Sequence, residues 1–332
     1  MNRPFITRFA PSPTGLLHLG HAYAAKVAHD LAVQSGGKMI LRIDDIDHTR
    51  CRDNFTTEIF TDLDWLGLAW HGSPTADTTG RDAPRQSRRM PAYQAALETL
   101  QDMGLVYPCY LSRQELNALL SAPHTPPTSS DRTEPDGALP NGTGRPYVDP
   151  PALSSGDIIS NTDQLLSEAE INRRRAAGNG AAWRLRMDAA LEMASSGPTD
   201  GTIGWFDYLA GYQTANPAPF GDVVIARADI AVSYHLSVVV DDMLDGVTLV
   251  TRGNDLAPST HLHRLLQALL GLHTPDYCHH ALILDQTGNR LAKRDSAHSL
   301  QSMRLINNDP ARIFSKMPPI PVIQPRENPQ KT

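Results

Sequence analysis

Two histidines three residues apart, His18 and His21, enclose Leu19-Gly20 and follow the turn-rich run Pro11-Ser12-Pro13-Thr14-Gly15. This arrangement suits a phosphate. A helix starting here turns its first N–H groups and the positive end of its dipole toward an anion. Imidazole N–H groups add donors as charge moves onto a leaving group. Gly20 lets a nucleotide approach the backbone. The plainer alternative is two surface histidines on a first helical turn; the strand-like segment just upstream weighs against it.

The surrounding pattern supplies the elements that must hold this loop. Residues 5–10 read as a short strand, and the helical spacing runs from Leu19 to Gln34, where Gly36-Gly37 stops it. Lys38 to Ile43 is a second apolar strand, closed by Asp44-Asp45-Ile46-Asp47. Strand, glycine-containing loop, helix and strand open a nucleotide-binding α/β fold. Helices are predicted over 53–66, 91–103 and 258–271. Strands are predicted at 222–226, 233–240 and 247–250. Between about 121 and 160, Pro, Ser, Thr, Gly and Asp dominate, as in a loop-rich insertion. Order returns at Ala182-Trp183-Arg184-Leu185-Arg186, and the proline-rich end reads as an irregular tail.

Composition bounds the classes available. The 332 residues are 40% apolar and 20% charged, enough for a sizeable core, with no run long enough to span a membrane. The N-terminus has no apolar leader, and three scattered cysteines give no disulfide framework, so a reducing cytoplasm is expected. The net charge of −6 gives no global support to nucleic-acid binding, so any RNA contact must come from local patches. Arg85, Arg88 and Arg89 form one such cluster; Arg173, Arg174 and Arg175 with Arg184 and Arg186 form another. A solvated helix face is the alternative for both.

Three blocks then fall in order: Arg8-Phe9-Ala10-Pro11-Ser12-Pro13-Thr14-Gly15 with His18-Leu19-Gly20-His21 and Leu41 to Asp47; Tyr234 to Asp242 with Thr251 to Asp255; and Arg290-Leu291-Ala292-Lys293-Arg294. Together they resemble the catalytic core of glutamyl-type class I aminoacyl-tRNA synthetases over roughly 5–110 and 200–315. His18 to His21 matches the HIGH motif, and the Lys293 segment stands where the class has its KMSKS loop. The resemblance implies a Rossmann-like α/β catalytic domain with an inserted loop-rich subdomain and no anticodon-binding domain. The expected boundaries are 1–106 and 201–312 for the catalytic halves, 107–200 for the insertion and 313–332 for the tail.

It further implies that ATP, with Mg²⁺, is held by His18, Gly20, His21 and Lys293, with His18, His21 and Lys293 catalytic. Glutamate would be held by Arg8, Phe9, Ala10, Pro11, Ser12, Asp44, Tyr234 and Arg252. Arginine grips a carboxylate through two parallel hydrogen bonds, and a short acid pairs with an ammonium. Several positions depart from the family pattern: Asp44 replaces Glu, His235 replaces Asn, and Ala292 replaces the serine of the KMSKS loop. Few residues follow Arg294, which resembles the trimmed glutamyl-Q tRNA(Asp) synthetase branch. That branch esterifies glutamate onto queuosine in tRNA(Asp). Its zinc ligands are incomplete here: Cys109 and Tyr147 have counterparts, but Leu111 and Pro151 replace cysteines. No zinc is expected, and a monomer is. A shortened glutamyl-tRNA synthetase or an inactive tRNA-binding relative are the alternatives.

Overall fold

Ile6–Phe9 (β1) pairs in parallel with Lys38–Leu41 (β2), and the connecting helix, Leu19–Gln34 (α1), has the limits its spacing predicts. In this computed structural model the described residues are 3–72, 82–112, 114–116, 160–196, 202–227, 232–283, 299–306, 309–315, 317–324 and 326. α1 buries Ala22, Ala25, Val27, Ala28, Leu31 and Ala32, and these small side chains let it lie close against the sheet. Gly36 then takes a left-handed backbone at φ 72°, and a Cβ on Gly37 would fall 1.9 Å from the Phe5 carbonyl oxygen. The return into β2 therefore requires glycine.

β8 (Leu249–Gly253) lies on the other side of β1. Thr248 joins them: its N–H donates to the Ile6 carbonyl at 2.9 Å, and its Oγ1 accepts from the Ile6 N–H at 2.8 Å. β8 pairs in parallel with β9 (Asp276–His280), and β9 with β5 (Gly204–Asp207). β6 (Gly211–Thr214) closes that edge as the antiparallel partner of β5. The pair β2-β1 therefore lies beside the sheet β8-β9-β5-β6, with β1 against β8, which places the start of the chain beside its second half. In open α/β sheets the crevice outside the strands' C-terminal ends at such a switch point is where ligands bind.

A second, antiparallel sheet contains β3 (Val106–Cys109), β4 (Ala182–Leu185) and β7 (Val224–Ala226), in that order. Cys109 faces Ala182 across β3 and β4. The last strand of this sheet thus comes from beyond residue 200. The loop-rich 121–160 segment lies outside the described residues apart from Ser160.

One element differs from expectation. Ser233 to Val240 was expected as a strand, but Tyr234–Leu244 is an α-helix, α6. The side chain of Ser233 caps it by accepting from the Leu236 N–H, and residues 235 to 242 are all buried. A helix covered on every side shows no amphipathic period, and its valine run imitates a buried strand. α6 packs between α3 (Met90–Asp102) and α7 (Ser259–Leu269). The tail is irregular in path but docked. Ile320 and Ile323 pack against the cluster of Phe5, Tyr23, Leu249 and Cys278. No helix among the described residues is long and apolar enough to cross a membrane.

Candidate active site

His18 is the N-cap of α1. Its Nδ1 accepts from the Gly20 N–H at 3.1 Å, and the His21 Nδ1 accepts from the His18 N–H at 3.2 Å. The two rings lie 3.9 Å apart, centre to centre. An Nδ1 that accepts is bare, so each neutral ring carries its proton on Nε2. The reciprocal cap thus fixes both tautomers and leaves Nε2–H as the donor on each ring. Ser299 forms a β-bridge with His18, and the Leu300 N–H donates to the Leu17 carbonyl at 2.8 Å. The chain therefore returns against this loop directly after the segment bearing Lys293. Lys293 itself, with Arg290 to Arg294, lies outside the described residues.

The positions expected to hold glutamate gather at the C-terminal ends of β1, β2 and β8. Arg8 is 6% exposed. Its Nε donates to Asp242 Oδ1 at 3.1 Å and its Nη1 to the Thr251 carbonyl at 2.9 Å. Asp44 accepts from Arg42 Nε at 2.8 Å, and its side chain is 11% exposed. The Tyr234 ring stands 5.6 Å from that of His263. Arg252, 6% exposed, donates from Nε to His279 Nε2 and from Nη1 to His263 Nδ1, both at 3.2 Å, and from Nη2 to the Thr260 hydroxyl. Arg8 and Asp44 are thus linked through Asp242 and Arg42, and Tyr234 and Arg252 through His263; the two pairs meet where Arg8 donates to the carbonyl of Thr251, next to Arg252. The other positions of the set show backbone or packing contacts. The Phe9 ring is in the core, its carbonyl accepting from the Arg42 N–H at 3.0 Å. The Pro11 carbonyl accepts from the Asp44 N–H at 3.1 Å. Ser12 is exposed and Ala10 partly so.

Beside these residues lies an ionic cluster that residue types alone did not reveal. Arg42, fully buried, reaches Asp44, Asp241, Asp242 and Asp245. Arg89 pairs with Asp241 and Asp245, and Tyr93 and Gln86 also donate to Asp241. Three guanidiniums (Arg8, Arg42, Arg89) therefore face four carboxylates (Asp44, Asp241, Asp242, Asp245), one negative charge in excess. The excess shows at Asp44. Burial pushes its carboxyl up to about 7, with Asp241 adding to the effect and Arg42 opposing it. Burial also acts on Asp242, but Arg8 and Arg42 outweigh it and hold that carboxyl below the ordinary range. The one sequence signal for this cluster is an arginine, Arg42, set between Leu41 and Ile43 in an apolar strand.

Many of the arginines read as phosphate patches are committed to other contacts. Arg89 points inward, and Arg85 pairs with Asp45 and Asp53. Arg174 is clamped between Glu115 and Glu170, Arg186 pairs with Asp163, and buried Arg184 donates to the Asp222 carbonyl. Arg88 and Arg173, with side chains 71% and 77% exposed, are better placed for a solvent-borne polyanion. Buried Cys109 accepts from the Thr162 hydroxyl at 3.3 Å. Tyr147 and Pro151 lie outside the described residues. Among the described residues no group of three His, Cys, Asp or Glu side chains is placed to hold a metal ion.

Residues 5–136 and 160–315 match the family described as tRNA synthetases class I (E and Q), catalytic domain. A Rhodobacter capsulatus protein named glutamyl-Q tRNA(Asp) synthetase is 43% identical over 309 residues, covering 93% of this chain and 98% of the relative. A protein of the same name from Nitratidesulfovibrio vulgaris is 38% identical, covering 90% of this chain and 80% of its own. Among solved structures, a glutamate tRNA ligase from Elizabethkingia meningosepticum, crystallised with its amino acid, is similar at a TM-score of 0.62 and 27% identity. That match covers 88% of this chain and 52% of the ligase, so the chain spans about half the length of that enzyme.

Proposed function

The chain belongs to the class I tRNA synthetases for glutamate and glutamine, in their catalytic-domain family, and on that basis we propose that it activates glutamate with ATP and transfers it to queuosine in tRNA(Asp). The relatives that it matches over most of both chains bear the name of that activity. The observation that carries the reading is a pair of opposite charges at one switch point. Among the described residues Arg252 is a buried cation with only neutral acceptors on it, and the cluster ending at Asp44 has one carboxylate too many. A carboxylate and an ammonium on one small molecule satisfy both.

In the proposed chemistry a glutamate α-carboxylate oxygen attacks the ATP α-phosphorus and pyrophosphate leaves. The Nε2–H groups of His18 and His21 meet phosphate oxygens at the head of α1, adding to the helix dipole where charge develops. Mg²⁺ carried on the ATP phosphates would neutralise part of their charge. A hydroxyl of the queuosine base then attacks the acyl carbon, AMP leaves, and the ester forms. An unstacked anticodon base is the kind of RNA target that a protein pocket reads directly.

Pyrophosphate exchange with glutamate and no tRNA tests the first step, and labelled glutamate offered to tRNA(Asp) with and without queuosine tests the second. Exchange only with tRNA(Glu), or equal labelling of both tRNA(Asp) forms, would overturn the reading. Lys293→Ala is expected to lower exchange by more than about tenfold, the equivalent of about 1.4 kcal/mol in the barrier. A variant within about twofold of the parent would remove Lys293 from the transition state.

The state of Asp44 gives a pH signature. Its native carboxyl titrates near 7, far above an exposed aspartate, so between those limits the unliganded fold holds a proton that the unfolded chain does not. Ionising Asp44 costs stability as pH rises toward 7, and the substrate ammonium offsets that cost. Glutamate binding should therefore release a proton below pH 7. The KM for glutamate should climb as pH falls from about 8 to about 6, with kcat little changed. A flat KM over that range, or an unaltered profile in Asp44→Asn, would count against the assignment.

A further inference from the structure

Arg252 differs from the other buried arginines of the site in its partners. Arg8 pairs with Asp242, and Arg42 and Arg89 with two or more aspartates each. Arg252 has an imidazole at Nε, another at Nη1 and a hydroxyl at Nη2. No carboxylate lies within ion-pair distance of it among the described residues.

Its donors dictate the protons behind it. Because the His263 Nδ1 accepts from Arg252, the proton of neutral His263 sits on Nε2, which lies 3.1 Å from the His235 Nδ1 and donates to it. Because the His279 Nε2 accepts from Arg252, the proton of His279 sits on Nδ1 and is donated to Asp207. The Thr260 hydroxyl lies 3.1 Å from that same His279 Nε2. Protonating either histidine would turn its acceptor into a donor aimed at a guanidinium. Burial opposes this, drawing His263 well below the ordinary imidazole range and His279 below it, and the Arg252 charge acts the same way. Asp207, a carboxylate one ring away from Arg252, fixes the tautomer of His279 instead of quenching the arginine. The guanidinium is thereby oriented on three sides while keeping its full charge.

We propose that His263, backed by His235, and His279, backed by Asp207, are positioning residues that set charge selectivity: they hold Arg252 aligned and unneutralised, so that the pocket takes a carboxylate-bearing side chain and rejects its amide. This deepens the glutamate reading above and rests on it. His235, where the family resemblance implies asparagine, takes its place as the acceptor at the end of the relay.

Two substitutions separate charge from packing. His263→Gln offers a neutral acceptor, whereas His263→Glu puts a carboxylate against Arg252. In pyrophosphate exchange the Gln variant should stay within about threefold of the parent. The Glu variant should raise the glutamate KM about tenfold or more, leave the ATP KM within about twofold, and narrow the preference for glutamate over glutamine by a similar factor. An unchanged glutamate KM in a folded His263→Glu protein would overturn the proposal. Imidazole ¹⁵N–¹H spectra of the parent test the relay without catalysis and without dependence on either variant folding. They should show two neutral rings at pH 7, bare at Nδ1 in His263 and at Nε2 in His279. A charged ring, or the opposite tautomer at either position, would overturn the relay. A parent with these spectra but no glutamate-dependent exchange would sink the functional reading and leave the relay standing.

Discussion

Arg252→Gln is expected to lower kcat/KM for glutamate by about 3 kcal/mol, on the order of a hundredfold, without weakening the fold. The two halves of that statement have one cause. The partners of Arg252 are His263, His279 and Thr260, so its removal strands no buried carboxylate. A buried cation without a counter-charge costs desolvation energy, and a neutral amide in its place relieves that cost. The variant should melt at or above the parent temperature while glutamate-dependent exchange collapses. Arg252→Lys should not rescue activity, since one ammonium cannot replace a planar fork aimed at three acceptors. Exchange within about twofold of the parent in Arg252→Gln would remove this residue from substrate binding.

Arg42→Gln should behave in the opposite way and lose roughly 3–5 kcal/mol of stability, the range for breaking a buried ion pair from one side. Arg42 reaches all four aspartates of the cluster, and its removal leaves them to Arg8 and Arg89 alone. A protein of this class is stable by only about 5–15 kcal/mol, so such a loss leaves little soluble enzyme at growth temperature. The deficit should shrink as pH falls. Without Arg42 the native aspartates hold protons more readily than those of the unfolded chain, so acid favours the variant relative to its parent. Urea unfolding at two pH values measures both effects. A deficit below about 1 kcal/mol at neutral pH would show that the cluster is not cooperative.

Much of the site could be read from residue order. The helix after the turn-rich run, its glycine stop and the strand that follows are local patterns, and they place His18, His21 and Asp44 without tertiary help. Arg8 and Arg252 were expected as carboxylate grips only through family resemblance, because nothing in an isolated arginine reveals its partner. The misread segment, Ser233 to Val240, shows where local pattern fails. Its valines favour a strand, but burial between α3 and α7 makes it a helix and sends Asp241, Asp242 and Asp245 inward together. His263 and His279 gave no signal at all. Each matters through the Arg252 guanidinium: the register of β8 on β9 sets Arg252 opposite His279, and α7, eleven positions along the chain, brings His263 to the same group.

That same reliance on register has a consequence for chain length. β3 and β4 hold Cys109 opposite Ala182, so the two ends of the interval between them are tied by sheet hydrogen bonds. Loop-closure entropy grows only with the logarithm of length, so halving that interval changes the fold by about 0.6 kcal/mol. Closure entropy alone therefore sets little limit on the number of residues between Glu115 and Ser160, whereas Thr162, Asp163 and Arg174 are tied by their own contacts to the residues around them.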